Sequence, residues 1–263
     1  MLTVYMGWDS RETLAYDVAV ASIQRRASVP VEIIPLKLHE PPVSELLTRS
    51  IEQRDGRMWC PVSQAPMATE FAVSRFCVPF IQREGWALFC DCDIVCLADI
   101  AELFALADDR FAVMCVKHEQ PVAAGQTKMD GQVQTAYQRK NWSSVVLWNC
   151  GHPAHRRLTL GILNMLPGRD LHRFCWLEDT EIGNLWHKWN YLVGVDLYVT
   201  IEDGRPICQV DQPNNRPLEM WEFKGILHYT LGGPWLSGWV GGPLDDLWRR
   251  ECESTRSLGA PIA

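Results

Sequence analysis

The chain has no stretch approaching 18 uninterrupted apolar residues, so no transmembrane helix is expected. Its opening, Met1-Leu2-Thr3-Val4-Tyr5-Met6, lacks the charged and long apolar regions of a secretory signal. Positive charge is not in excess, because 25 Lys and Arg stand against 32 Asp and Glu, a net charge of −7. Such a surface does not generally seek nucleic acid or anionic membrane, a local basic patch being the exception. Three nucleotide and hydrolase signatures are also missing. There is no P-loop and no G-x-G-x-x-G fingerprint, and no G-x-S-x-G nucleophile elbow. P-loop, dinucleotide-binding and serine-hydrolase functions are therefore disfavoured. These absences make a cytoplasmic protein the expectation, with peripheral attachment at the inner face of the membrane left open.

What is present is ordinary in bulk and unusual in detail. The 263 residues are 47% hydrophobic and 22% charged, which excludes disorder, collagen and coiled coil as the main architecture. At this length roughly 70–75% of the unfolded surface can be buried without disulfide staples. No internal repeat and no linker interrupts the chain, so one domain over 1–263 is expected. Twelve tryptophans supply flat apolar surface, useful in a core or for stacking on sugar rings. Ten cysteines without a secretory signal read as reduced thiols. Cys90, Cys92 and Cys96 have a tempting spacing for zinc. They lie in an apolar run, however, and buried thiols acting as small hydrophobes are the better reading.

Hydrophobic periodicity predicts an α/β fold. Thr3–Met6 reads as a first strand. Asp9 and Glu12 have capping-box spacing before a helix reaching about Ala27, and Val31–Leu36 reads as a second strand. This β-α-β opening builds parallel sheets. Further strands are expected at Trp86–Cys90, Phe111–Val116, Val145–Trp148, Tyr191–Val195 and Gly225–Tyr229. Helices are expected at Ser44–Ile51, Thr69–Gln82, Asp99–Leu106, Pro153–Met165, Leu177–Leu185 and Leu244–Cys252. Asp55–Pro66 reads as loop. The polar stretch from Lys117 to Asn141 exceeds an ordinary connection and is a lid candidate.

The strongest chemical feature is Asp91-Cys92-Asp93 after an apolar strand. Ligands of open α/β sheets bind outside the carboxyl ends of strands. Two carboxylates one residue apart there can converge on Mg2+ or Mn2+, which clamps a diphosphate. The bland alternative is capping or solvation. His228, ending a late apolar strand, can complete a metal shell or serve as a hydrogen-bonded core histidine. Gly232 and Gly233 after it allow close approach of backbone N–H groups to phosphate. In Glu178-Asp179-Thr180-Glu181, a capping role competes with one in which Asp179 or Glu181 faces a cleft and meets sugar. Arg75 matters only if its head reaches a phosphate or a cleft carboxylate.

In order and separation these pieces resemble glycosyltransferase family 8, the glycogenin and lipopolysaccharide-galactosyltransferase group. The carriers are Gly7-Trp8-Asp9, Ser74-Arg75-Phe76, Trp86 through Val95, Asp99 through Phe104, and Ser144 through Asn149. Asp179-Thr180-Glu181-Ile182, His228-Tyr229 and Pro234-Trp235 complete the series, which spans roughly residues 2–240. The C-terminal half looks closer to an uncharacterised bacterial branch. The resemblance implies a GT-A fold, Rossmann-like, with a mostly parallel central sheet flanked by helices. The nucleotide-binding half would be about 1–116 and the half facing acceptor and donor sugar about 117–245. It also implies Mn2+ or Mg2+, a nucleoside diphosphate sugar donor such as a UDP-sugar, a carbohydrate or glycoconjugate acceptor, and transfer with retention.

Carried over by position, Asp91, Asp93 and His228 would be metal ligands, with Asp179, Thr180 and Glu181 as the catalytic group. Met6, Gly7, Asp9, Arg75, Cys92, Ser144, Gly232 and Gly233 would lie against the donor. Trp186, Trp235 and Trp239 are candidates for stacking on an acceptor, or for core and rim packing. The chain departs from the family where Gly232-Gly233 stand in place of a lysine-bearing turn, and where Trp142-Ser143-Ser144-Val145 replaces Asn-x-Gly-Val. Asn141 or Ser144 would substitute there. These departures keep open a non-catalytic nucleotide-sugar-binding protein. A nucleotidyltransferase is a poorer match, since Met6-Gly7-Trp8-Asp9 lacks a Gly-rich basic signature.

Overall fold

The structure, a computed structural model, describes residues 1–118, 139, 141–196, 198–202, 205–209, 218–219 and 223–257. In 197–222 the side chains of 198–202, 205–209 and 218–219 are not described. The lid candidate falls mainly on 119–138 and 140, outside the described residues. A central sheet is built from β1 (Leu2–Gly7), β2 (Val31–Leu36), β3 (Trp86–Cys90), β5 (Val113–Cys115), β6 (Val145–Asn149) and β7 (Ile182–Asn184). Its order is β7-β5-β6-β3-β1-β2. Among these strands only β6 runs against the others, pairing antiparallel with both β3 and β5. A smaller sheet joins β4 (Ile94–Cys96) to β8 (Tyr191–Leu192) and β9 (Ile226–His228), in the order β8-β9-β4.

The first unit forms as its pattern dictates. Helix α1 (Thr13–Arg26) buries Ala15, Val18, Ala19, Ser22 and Ile23, the i, i+3, i+4 stripe of an amphipathic helix. Ser22 accepts the N–H of Cys96 at 2.9 Å, which stitches α1 to β4. Helix α2 (Asp245–Ser257) packs Trp248 and Cys252 with Val18, Val95 and Leu227 in a second apolar cluster. Glu251 on α2 pairs with both Arg25 and Arg26 of α1. The small sheet thus shares one apolar cluster with the two longest described helices, which also pair with each other. No helix among the described residues is long and apolar enough to cross a membrane.

Several expectations need correction. Thr69–Gln82 is not one helix but turns followed by a 3-10 turn at Ser74–Cys77 and a short helix at Val78–Gln82. Asp55–Pro66 is not plain loop. Glu52–Arg54, Arg57–Cys60 and Ala65–Pro66 form a small antiparallel meander. Its first turn is Asp55-Gly56, both at positive φ (51° and 74°), a two-residue hairpin geometry. Leu177–Leu185 is not a helix either. Glu178 and Glu181 do form a reciprocal capping box, but only for the single 3-10 turn Asp179–Glu181. The chain then enters β7 beside β5. A Cβ on Gly183 would lie 2.7 Å from Phe111 and Met114, so edge pairing requires glycine there. The pattern Pro153–Met165 likewise splits into a 3-10 turn (Pro153–Arg157) and a helix (Leu160–Met165).

His155 tests the core beneath β5 and β6. Its Nε2 donates to the Ala112 carbonyl at 3.1 Å, and its ring lies 5.5 Å from that of Trp148. Burial pushes its pKa down to about 4, against the opposing pull of that hydrogen bond. The unfolded chain, with a histidine near 6.5, therefore binds a proton first as pH falls. The stability this site contributes is complete above about pH 6.5 and is lost towards pH 4, by roughly 2–3 kcal/mol. In urea unfolding, His155→Gln is expected to show a flatter loss of stability between pH 7 and pH 4. An unchanged pH slope would refute the assignment.

Candidate metal-binding active site

The acid pair is placed by the end of β3 and the start of β4. Residues 87–90 are fully buried, and the chain leaves the sheet at Asp91. The Asp91 N–H donates to the Ser144 carbonyl at 2.9 Å, which anchors this exit to the start of β6. Antiparallel pairing of β4 with β9 sets Ile94 opposite His228, and the Tyr229 N–H donates to the Asp93 carbonyl at 2.8 Å. The imidazole therefore meets the carboxylates. His228 Nε2 is 3.3 Å from Asp93 Oδ1 and 3.9 Å from Asp91 Oδ2. One ligand atom from each of the three lies within 4.8 Å of the others.

The donor set fits a hard or borderline divalent cation, with two carboxylates and one imidazole. The tautomer fits as well. His228 Nδ1 is 3.0 Å from Asn190 Oδ1. The Asn190 amide is oriented by its other end, where Nδ2 donates to Ser144 Oγ at 2.9 Å and to the Asn141 carbonyl at 3.4 Å. Ser144 Oγ donates to that same carbonyl at 3.0 Å, so it must accept from Asn190. The amide oxygen thus faces His228, so Nδ1 carries a proton, and Nε2 is the ring atom turned towards the acids. Such outer partners fix a metal-ligating ring. Asn190 was not legible as functional; its signal was a lone amide in the apolar run Trp189-Asn190-Tyr191-Leu192.

Arg75 meets its sequence criterion by reaching a cleft carboxylate. Its Nη1 lies 2.8 Å from Asp91 Oδ1 and donates to the Ser143 carbonyl at 2.9 Å. The guanidinium is buried between the rings of Phe71 and Phe89, 5.4 and 5.0 Å from their centroids. A third acid, expected only as a helix cap, joins them. Glu12 makes no side-chain cap for α1. Its carboxyl instead accepts from Trp235 Nε1 at 3.3 Å and Cys92 Sγ at 3.6 Å. Burial, then the charges of Asp93 and Asp9, push it up to about 7. The missed signal was its place in the turn after β1, at the carboxyl end of the sheet.

The remaining expected residues fall into different surroundings. Met6 is fully buried at the end of β1, paired with Cys90. Gly7 packs so tightly that an added Cβ would sit 2.5 Å from the Phe71 ring. Asp9 is no helix cap, since α1 begins four residues later. It is fully buried, accepts twice from the Arg11 side chain (2.9 and 2.6 Å), and also takes the N–H groups of Arg11 and Glu70. Burial would raise its pKa, but these bonds hold it below the usual carboxylate range. Cys92 is fully buried, burial drives its thiol pKa well up, and its Sγ donates to the Glu12 carboxyl. Cys96 is bonded to the Ala98 carbonyl, and burial likewise raises the thiols of Cys90 and Cys96.

Ser144 belongs to the Asn190 support just described. Gly232 has φ 104°, and a Cβ on Gly233 would lie 2.1 Å from Trp235, so both positions require glycine. Asp179 is exposed and pairs with Arg139, while Glu181 pairs with Arg157 and caps Glu178 N–H. Thr180 lies between them in the same 3-10 turn. The capping role in this group falls to Glu178 and Glu181, and the Asp179 side chain stays largely exposed beside Arg139. Trp235 and Trp239 are tied inward by indole bonds to Glu12 and Asp245. Trp186 is 66% exposed, in the turn that leads into Asn190.

No protein-family model matches the chain. Protein CDI of Arabidopsis thaliana is 42% identical over 251 residues, covering 95% of this chain and 85% of that protein. The chain belongs to the CDI protein family. Among solved structures, this CDI-family chain superposes on the galactosyltransferase LgtC in complex with donor and acceptor sugar analogues. The TM-score is 0.56 at 12% identity, over 96% of both chains. Apo GlyE, a glycosyltransferase of Streptococcus pneumoniae, gives 0.56 at 15% identity over 95% of this chain. The apo bifunctional WbbM gives 0.54 at 13% identity over 95% of this chain. The CDI-family chain spans 60% of GlyE and 51% of WbbM. These likenesses show the fold, which is that of the GT-A glycosyltransferases.

The role of Asn190 is open to test. Asn190→Ala should weaken Mn2+ binding by about 10- to 100-fold, as outer-shell losses do. Titration calorimetry measures it. Affinity equal to that of the parent would show that the amide does not govern the His228 ring.

Proposed function

We propose that this chain is a divalent-metal-dependent, retaining glycosyltransferase of family 8 type, moving a sugar from a nucleoside diphosphate sugar, a UDP-sugar, to an acceptor hydroxyl. One observation carries the reading. Asp91, Asp93 and His228 converge at the carboxyl end of the central strand of a GT-A fold, where such sheets bind ligands. Asp91, Asp93 and His228 Nε2 would hold Mn2+ or Mg2+. Bound there, the cation would neutralise charge on a diphosphate leaving group.

The chain's own groups prepare that site. Arg75 sets the orientation of Asp91 and offsets its charge inside a poorly solvated wall. Asn190 holds the ring of His228. In the turn at Gly232-Gly233 the Gly232 N–H is given to the Tyr229 carbonyl at 2.8 Å, so the Gly233 N–H is the backbone group that would approach a phosphate oxygen, in place of the lysine the family carries. The acceptor oxygen would bond to the anomeric carbon on the face from which the diphosphate departs, and the departing oxygen would take the acceptor proton. Configuration is then retained without a protein nucleophile. Trp186, exposed beside this support, would stack on the acceptor.

A second reading is a protein that binds the donor without transferring sugar. The absence of a basic residue between His228 and Pro234 favours it. The two are separated by one set of experiments. UDP-sugars with Mn2+ are expected to raise the melting temperature, tight ligand at one hundred times its Kd adding about 2.7 kcal/mol. Asp93→Asn should abolish the metal-dependent shift together with transfer or donor hydrolysis. Binding with neither transfer nor hydrolysis, across donors and acceptors, would favour the second reading. No shift with any nucleotide sugar would sink both. Trp186→Ala should raise the acceptor KM roughly two- to tenfold, the range of a 0.5–1.5 kcal/mol ring contact, with kcat preserved. An unaltered KM would remove Trp186 from the acceptor site.

A further inference from the structure

We propose that His118, His187 and Asp196 form a second metal site, separate from the acid pair, that takes Zn2+. The three come from different places. His118 lies three residues beyond the end of β5, and His187 and Asp196 flank β8 on either side. Their ligand atoms lie within 4.8 Å of one another. Asp196 Oδ2 is 3.2 Å from His187 Nε2 and 3.5 Å from His118 Nδ1. Tetrahedral zinc, with bonds of about 2.0–2.1 Å, sets neighbouring ligand atoms roughly 3.3 Å apart. The two observed separations bracket that edge.

His118 supplies an independent indication. Its side chain is 1% exposed, and neither ring nitrogen has a hydrogen-bond partner among the described residues. A buried imidazole in that condition calls for an ion or water. Asp196 is oriented from behind by the Leu192 N–H, at 2.9 Å from the same oxygen. His187 is 36% exposed, so solvent reaches the cluster from that side.

The ligand types separate the two sites. Two imidazoles and one carboxylate favour Zn2+, whereas the pair of carboxylates with one imidazole favours Mn2+ or Mg2+. The position gives the site a purpose. His187 and Asn190 share one 3-10 turn, and Leu192 sits in register with His228. Zinc bound to His187 and Asp196 would brace both ends of β8, and with it the amide that orients His228. The claim does not depend on sugar transfer.

The test uses the full chain stripped of metal by chelator. Zinc is counted by elemental analysis after equilibration, and Co2+ serves as a spectroscopic stand-in, because four-coordinate Co2+ absorbs far more strongly than six-coordinate. The double substitution Asp91→Asn with Asp93→Asn removes the acid pair. That variant is expected to bind one Zn2+ per chain, to gain melting temperature with it, and to show the intense Co2+ bands. Adding His187→Asn should weaken zinc binding at least ~100-fold and abolish the bands. Adding His187→Cys instead, with another zinc ligand in place, should restore binding. His187 is partly exposed, so these substitutions are expected to leave the fold intact, checked by circular dichroism. In the otherwise unaltered chain, zinc stoichiometry should fall by one with His187→Asn. No zinc on the folded double variant that lacks the acid pair, or undiminished affinity with His187→Asn, would overturn the proposal. Preference for Mn2+ over Zn2+ at this cluster would overturn the assignment of the ion.

Discussion

The candidate site depends on one strand pairing. Ile94 and His228 face each other across β4 and β9, and that register alone brings the imidazole to two acids some 135 positions earlier in the chain. Side chains alternate across a strand, so a slip of one residue would turn His228 to the other face. The register is protected by what flanks it. Val95, Leu227 and Tyr229 are buried in the cluster beneath α1 and α2. The chemistry at one end of the small sheet is thus stabilised by apolar packing on its other side.

Around this pairing runs a continuous buried polar support. Arg75 touches Asp91 and the Ser143 carbonyl; the Asp91 N–H reaches the Ser144 carbonyl; Ser144 holds Asn190, and Asn190 holds His228. Polar groups in a low-dielectric interior are costly when incompletely satisfied. Completing them confers rigidity, which a metal site requires of its ligands. The same logic is visible at Asp9, whose burial is offset by Arg11 and two backbone N–H groups. Glu12, with fewer donors, is driven towards the protonated form instead.

Legibility followed the range of the forces involved. Val31–Leu36 and Trp86–Cys90 have the expected boundaries, because a run of apolar and β-branched residues carries its own signal. The hairpin at Asp55-Gly56 was also written locally, in a dipeptide that favours positive φ twice, and was overlooked. Ile182–Asn184 was a different failure. The caps at Glu178 and Glu181 favoured a helix, and the free edge of β5 prevailed. Asp91 and Asp93 stood out by their place after an apolar strand. Glu12 did not, since its spacing from Asp9 had a sufficient local explanation in capping.

From residues alone, the chain determines an α/β architecture, an acidic surface and a pair of carboxylates at a strand end. Those follow from periodicity, composition and nearest-neighbour chemistry, all carried within a few residues of one another. Only the folded structure decides which distant groups join them: His228 through strand register, Arg75 and Asn190 through burial, and the His118–His187–Asp196 cluster through the packing of β8 beside β9. Such meetings depend on the relative placement of elements far apart in the chain, which no local pattern encodes.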